Sequence, residues 1–309
     1  MSYPSSLILA TLLSLAQVAA QPSGTPATLR PDPPIDCGPS CVEWNAPRQP
    51  FKVFGNTYFV GSAGLSSVLI AGEQGLILID VALPQSTALI DANIRALGFR
   101  TTDIKLILTS HAHFDHVGGV RSMQRYTRAT VAASQRGAEA LALGHPTPDD
   151  PQFGTDPSVR FPAITSEVRV VKDGETLRVG NLAVTAHYTP GHTPGATSWT
   201  WQSCEGARCL SMAYVDSLTA VSNPGFRFTG DGTHASIVES FRHSLRVVSN
   251  LPCDVLLTTH PSASGMDDKV KRHTEGSGAD PFVNAGACRA LAETASNALD
   301  KRVQQEQKP

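Results

Sequence analysis

The stretch TSHAHFDHVGG, residues 109–119, sets His111, His113, Asp115 and His116 within six consecutive positions and follows them with Gly118 and Gly119. Neutral imidazole and carboxylate are the donors that zinc takes in catalytic centres, where a coordination position stays open for water. An HxHxDH run at the end of a strand would deliver those donors from a fixed edge. The paired glycines would let the following backbone pack close beneath them. Two more histidines stand where an apolar run meets a loop, His192 in TPGHTPG and His260 in LLTTHPS. His145, His187, His234, His243 and His273 read instead as satisfied or solvated side chains. No SxxK, KTG or GxSxG occurs, so a covalent serine route lacks its parts. No GxGxxG or P-loop supports a nucleotide cofactor.

Such donors need elements that hold them. Apolar runs at 67–71 and 76–79, split by Gly72-Glu73-Gln74-Gly75, predict a β-hairpin, and Asp80 ends its second strand. Ile90, Ile94 and Leu97 recur at helical spacing before Gly98, which predicts a helix over 85–97. The run IKLILTS, 104–110, is a buried strand leading straight into the histidines. A helix to about 127, a strand at 130–133 and a loop at 144–162 rich in Pro and Asp follow, and so long a loop points to function. Next come VRVV, then the segment 175–179, then LAVTAHYT, ATSWTW and LSMAYVDS as strands, a helix over 236–250, the strand DVLLTTH and a terminal helix from Ala287. Strands followed by helices, twice over, predict an α/β fold of two packed sheets with helices outside, in four layers. No linker divides the halves, which implies one domain.

The chain has 309 residues, 41% apolar and 17% charged, with a formal net charge of −2. It can bury a sizeable core. Nothing basic advertises nucleic acid or an anionic membrane as a partner. Residues 1–20, MSYPSSLILATLLSLAQVAA, carry no charge, hold an apolar run at 7–15 and end in Val18-Ala19-Ala20. That pattern predicts a cleaved signal peptide and a periplasmic destination. As a membrane span it is short and punctuated by polar residues. The rest, 21–309, reads as the single domain, led by an extended Pro- and Ser-rich arm over about 21–50. In an exported chain six cysteines suggest three disulfides, Cys37 with Cys41, Cys204 with Cys209 and Cys253 with Cys288. The spacing does not prove that connectivity. A zinc–thiolate site is the competing reading, although no CxxC pair occurs.

HAHFDH, PGHTPG, YVDSLTA and TTHP resemble the metallo-β-lactamase superfamily, whose fold is a four-layer αβ/βα sandwich. GNTYFVG and SWTWQSCEG extend the resemblance to the third subclass of zinc β-lactamases, from about Phe51 to the carboxyl end. The resemblance implies two zinc ions: His111, His113 and His192 would hold the first, and Asp115, His116 and His260 the second. Asp115 and His116 would then also be catalytic, and Asp80 would support the ligands from behind. The first two subclasses place a cysteine among the second zinc's ligands and a lysine near the substrate carboxylate. Here YVDSLTA offers Ser217 and Thr219 for that carboxylate, and Gln152 and Phe153 lie on the loop that would cover the substrate. Relatives that cleave thioesters and lactones use a bridging aspartate on the strand of Asp216. The surrounding residues favour an Asp216 that points away, with Ser217 facing the site. Some members place a tyrosine near the oxyanion, where this chain has Phe226 and Phe228.

The implied activity is hydrolysis of the β-lactam amide of penicillins, cephalosporins and carbapenems, and with it antibiotic resistance, by a monomer acting on a small molecule. Paired zinc ions would bring the pKa of a shared water to about 7, so that no protein nucleophile is required. Two other readings compete: a hydrolase of lactones or thioesters on the same fold, and a non-catalytic zinc-binding or nucleic-acid-binding module. The full donor set and the near-neutral charge count against the last.

Overall fold

The computed structural model describes residues 28–154, 160–276 and 280–308. The predicted signal peptide and part of the predicted 144–162 loop lie outside them. One sheet runs, in spatial order, β1 (Phe51–Phe54), β2 (Thr57–Phe59), β3 (Val68–Gly72), β4 (Gly75–Ile79), β5 (Ile104–Leu108), β6 (Thr130–Ala133) and β7 (Val168–Val170). The other holds β8 (Thr176–Val179), β9 (Leu182–Tyr188), β10 (Thr197–Glu205), β11 (Arg208–Val215) and β12 (Val255–Thr258), ordered β12-β11-β10-β9-β8. Both are mixed: β4, β5, β6 and β7 run parallel after an antiparallel meander, and β12 lies parallel to β11 in an otherwise antiparallel sheet.

Side-chain alternation explains the layers. On β4, Ile77 and Ile79 face the other sheet and meet a core containing Trp199, Met212, Tyr214 and Leu257. Leu76 and Leu78 face the opposite way, where Ile90 and Ile94 of α2 (Thr87–Ala96) and Met123 of α4 (Val120–Thr127) cover them. The second sheet repeats this: Ala213 and Val215 turn outward onto α6 (Val238–Ser249) and α8 (Ala287–Glu306). Each fully buried Ile or Leu side chain contributes about 1.5–3 kcal/mol, so one strand shifted by one residue would forfeit several such terms.

The predicted hairpin forms with Gly72 opposite Gly75, and the predicted helices and strands around it fall within a few residues of their expected bounds. VRVV needs correction: it opens no second half but pairs in parallel with β6 at the edge of the first sheet, Ala132 opposite Arg169. Which sheet takes so short a strand depends on a distant partner, not on its own residues. The segment 28–50 is not extended throughout, because a tight turn at Gly38–Ser40 leads into the short helix α1 (Cys41–Trp44). Besides α1, five elements went unanticipated: β1 and β2, α3 (Phe114–Val117), inside the histidine loop, α5 (Gln135–Leu143) and α7 (Met266–Thr274). For α5 the signals were present, since Ser134 accepts from the Gly137 amide and Gly144 ends the helix at φ 74°.

All three expected cysteine pairs are bonded. Cys253–Cys288 ties the start of α8 to the segment before β12. At its far end Glu306 accepts from the Phe228 and Thr229 amides. At the other terminus Asp32 is buried against Arg121 and Arg125 of α4, the helix that follows the histidine loop.

Two outcomes are expected. Replacing Cys253 and Cys288 together with Ser should cost about 3–4 kcal/mol by loop-closure entropy, read as a lower midpoint in urea. The second concerns acid. Burial opposes ionisation of Asp32, but both guanidiniums outweigh it and hold its pKa below the ordinary 3.8. A depressed folded pKa contributes stability that is present above the unfolded value and lost as pH falls through the folded one. Proteolytic cleavage near residues 28–36 should therefore rise below about pH 3.8, and Asp32→Asn should release the arm already at neutral pH.

Candidate metal centre

Every donor sits at one end of the sandwich, where strands finish and loops begin. The β5 end carries His111 and His113, with Asp115 and His116 on α3; the β9–β10 connection carries His192; the β12 end carries His260. The histidine loop is stitched to the β4 end, since Asp80 N–H donates to Leu108 O, Val81 N–H to His116 O, and Gly119 N–H to Ala82 O. This explains the two glycines. A Cβ on Gly118 would lie 2.5 Å from Pro84 Cδ, and one on Gly119 2.5 Å from Val81 O.

The ligand atoms offered by His111, His113 and His192 lie within 4.8 Å of one another, as do those of His111, Asp115 and His116. His111 belongs to both groups. His260 joins the second, its Nε2 3.4 Å from Asp115 Oδ2, while His116 Nε2 is 3.1 Å from the same oxygen.

The backs of the rings say which nitrogen faces inward. His111 Nδ1 lies 2.6 Å from Asp216 Oδ1, which leaves its Nε2 buried with no hydrogen-bond partner. His113 points Nε2 at Asp150, 3.2 and 3.3 Å from the two carboxylate oxygens. His192 Nδ1 is 3.0 Å from the Thr219 carbonyl, and His260 Nδ1 is 3.3 Å from Gly64 O. The freed nitrogens, Nε2 of His111, Nδ1 of His113 and Nε2 of His192, converge. A ring that donates from one nitrogen presents a lone pair on the other, the state a metal ligand requires. The donor set therefore fits metal ions, and the orphaned Nε2 of His111 is the plainest sign of it.

Charge fits too. Burial, and then the neighbouring His113, push His192 down to about 3, and burial likewise drives His111 well below its usual range. Both are neutral. Burial works against a charged His116, but Asp115 beside it, with Asp80 and Asp216 behind, lifts it to about 9. His116 in turn outweighs the burial of Asp115 and keeps that carboxylate well below the ordinary range. In the second group Asp115 and His116 thus form a carboxylate–imidazolium pair, and a metal ion bound there would take the place of the His116 proton.

Asp80 accepts from the Ser110 amide at 2.8 Å, the Ser110 hydroxyl at 2.6 Å and the Tyr214 hydroxyl at 2.8 Å, and its Oδ2 faces His116 Nδ1 at 3.9 Å. Asp216 turns to His111 Nδ1 and does not reach between the two groups. Ser217 Oγ lies 2.8 Å from Thr259 Oγ1, and Thr219 Oγ1 lies 3.0 Å behind His192 Nδ1, so both hydroxyls have partners in the protein. The Gln152 amide lies 3.5 Å from His113 Nδ1 and 3.3 Å from His192 Nε2, whereas Phe153 is exposed. Phe226 and Phe228 are buried with α6 and α8.

Sequence reasoning missed Asp150 and Trp44. Asp150 sits two residues before Gln152 in TPDDPQF, and its signal was a carboxylate in a functional loop. The Trp44 ring lies 5.6 Å from that of His260 and 6.1 Å from that of Phe114, which brings the amino-terminal arm to the edge of the centre. No local pattern marked it.

A fold of this kind, with this donor cluster at its strand ends, defines a metal-dependent hydrolase class, and the family comparison agrees. The metallo-β-lactamase superfamily profile matches residues 63–260, and the chain belongs to that superfamily. Among solved structures it is similar to the Rm3 metallo-β-lactamase, with a TM-score of 0.84 and 48% identity over 88% of this chain and 100% of that one. It is also similar to MEM-A1, a subclass B3 metallo-β-lactamase from a soil metagenome library, with a TM-score of 0.81 and 44% identity over 85% of this chain and 98% of that one. Curated relatives match over shorter stretches. YobT, an uncharacterized protein of Bacillus subtilis strain 168, is 33% identical over 46% of this chain and 59% of its own length. A hydroxyacylglutathione hydrolase of Methylobacterium nodulans is 30% identical over 36% of this chain and 33% of its own length. The chain thus spans less than two thirds of these curated relatives.

Removing the acceptor behind His113 should loosen the centre without unfolding the sheets. Asp150→Ala is expected to weaken metal binding about 10–100-fold, measured by competition with a chromophoric chelator, while the circular dichroism spectrum stays that of the parent.

Proposed function

We propose that this protein is a zinc-dependent β-lactamase, exported to the periplasm, that hydrolyses penicillins, cephalosporins and carbapenems and so confers antibiotic resistance. The observation that carries the reading is the convergence of two donor groups whose outward nitrogens are held by Asp216, Asp150, Thr219 and Gly64. Similarity to subclass B3 structures supports it. His111, His113 and His192 would hold one zinc ion, and Asp115, His116 and His260 the other. Bound there, zinc supplies Lewis acidity toward the amide carbonyl and a water acidic enough to attack at neutral pH.

The chain's own residues do the rest. Asp115, kept ionised, accepts a hydrogen bond from the attacking water and orients it toward the carbonyl carbon. Hydrolysis adds the hydroxyl to that carbon and a proton to the released ring nitrogen, so no covalent enzyme intermediate is needed. Ser217 is the hydroxyl we assign to the substrate carboxylate, exchanging its contact with Thr259. Thr219 instead holds His192. Gln152, on the covering loop, lies against the first donor group and would meet the substrate there.

Three disulfides and the apolar segment 1–20 support export. No helix among the described residues is long and apolar enough to cross a membrane. We further propose that the enzyme acts as a single-domain monomer. The hydroxyacylglutathione hydrolase match keeps thioester hydrolysis as a second reading. The position of Asp216, behind His111 and not between the two groups, weighs against it.

The purified chain from about Gln21 should hydrolyse a carbapenem, lose that activity to a chelator, regain it with zinc, and ignore a serine-directed suicide inhibitor. Turnover of thioesters with none of any β-lactam would transfer the assignment to the second reading.

A further inference from the structure

Beside the centre lies a cavity of about 740 Å3, open to solvent, between α8 and the segments 216–221 and 258–263. Ser217, Thr219 and His260 line it, so it is continuous with the second donor group. A larger cavity of about 1010 Å3, lined by Asn56, Tyr58, Thr176 and Arg178, contains none of the clustered imidazoles. The smaller one is where a ligand engaged at His260 would extend.

Its far wall is one face of α8. Leu291, Ala295 and Ala298 recur at helical spacing and leave room that larger side chains would fill. Leu218 and Val221 face them from the loop, and Val221 is 52% exposed, a large apolar side chain left at the mouth. Two cations border this apolar space, Lys301 and Arg302. Arg302 is already committed: it donates to Glu306, to Ser222 Oγ and to Phe226 O, and lies 5.2 Å over the Phe228 ring. Those contacts hold the loop that carries Ser217 and Thr219 against α8. Lys301 is exposed and makes no ion pair among the described residues. The adjacent Asp300 pairs with Arg242, and Asp216, which borders the cavity, is buried with its Oδ1 on His111 Nδ1 and makes no ion pair with Lys301. An apolar cavity with an uncompensated positive charge is complementary to an amphipathic organic anion.

We propose that this cavity is a substrate annex that receives the substituent borne on the His260 side of the substrate, and that Lys301 selects substituents with an apolar stem and an anionic end. The inference rests on the proposed hydrolysis of β-lactams and names the members of that class the enzyme prefers. Lys301 acts here as a specificity determinant, away from the bond that breaks.

Two measurements test it. The first uses 8-anilinonaphthalene-1-sulfonate, an aromatic sulfonate that fluoresces in apolar surroundings, titrated into the metal-stripped protein. Lys301→Glu should weaken its binding about five- to tenfold, as expected for reversing one partly exposed charge. Lys301→Arg should restore it, and Ala298→Trp, which fills the annex, should abolish it. The second compares kcat/KM for two cephalosporins that differ only in an anionic or an uncharged substituent. Lys301→Glu should lower the anionic-to-uncharged ratio about fivefold, and Lys301→Arg should not. If the Lys301 and Ala298 variants bind the probe as the parent does and leave the ratio alone, the annex is refuted while β-lactam hydrolysis stands. If no β-lactam is turned over but the probe responds as described, the annex stands and the β-lactamase reading falls.

Discussion

The burial of His111, His113 and His192 side by side depends on an acceptor for the outward nitrogen of each ring. An unpartnered buried polar group costs about 1–3 kcal/mol, and the rings of His111, His113 and His192 pack with centroids 4.7 to 5.1 Å apart. Asp216, Asp150 and Thr219 supply those acceptors, from β11's end, the covering loop and the segment beyond β11. The same contacts set the tautomers, so the lone pairs meet in the middle. Burial then pushes the pKa values of His111 and His192 well below the usual imidazole range, which further favours lone pairs over charge on those two rings.

That arrangement forces the strand ends into register, and Asp80 is the residue that does it. It stands at φ 56°, a left-handed conformation that costs a non-glycine residue about 1–2 kcal/mol. Three donors, two from Ser110 after β5 and one from Tyr214 on β11, hold its carboxylate there. Through it the end of β4 is joined to both sheets directly behind His116. Strain at this point is the local consequence of aligning two sheets on one centre.

The outer walls are built from the two ends of the chain. The arm is held by Asp32 on α4 and reaches His260 through Trp44, and α8 is held by a disulfide at one end and by Glu306 at the other. Apolar contacts seat both walls, α8 through Ala292, Ala295 and Leu299 and the arm through Ile35 and Trp44. Ion pairs and a covalent link tie down their ends, and open space is left between α8 and the 216–221 segment.

Much of this was legible in the residues themselves. HxHxDH after a buried strand announced a metal centre because imidazole and carboxylate at that spacing have few other uses. Alternation over 67–79 announced the hairpin, helical spacing announced α2, and the family resemblance supplied His192 and His260 as partners for the loop. These are local signals, carried by neighbours in sequence. Asp150, Trp44, the side of His111 on which Asp216 lies, the sheet to which VRVV belongs, and the cavity under α8 carried no such signal. Each depends on a partner 30 or more residues away. A side chain's type says what it can donate, accept or ligate, and its spacing says which face of its own element it shares. Only the packing of one element on another decides which nitrogen of a ring faces the metal, because that choice is made by the acceptor that tertiary structure brings to the other side.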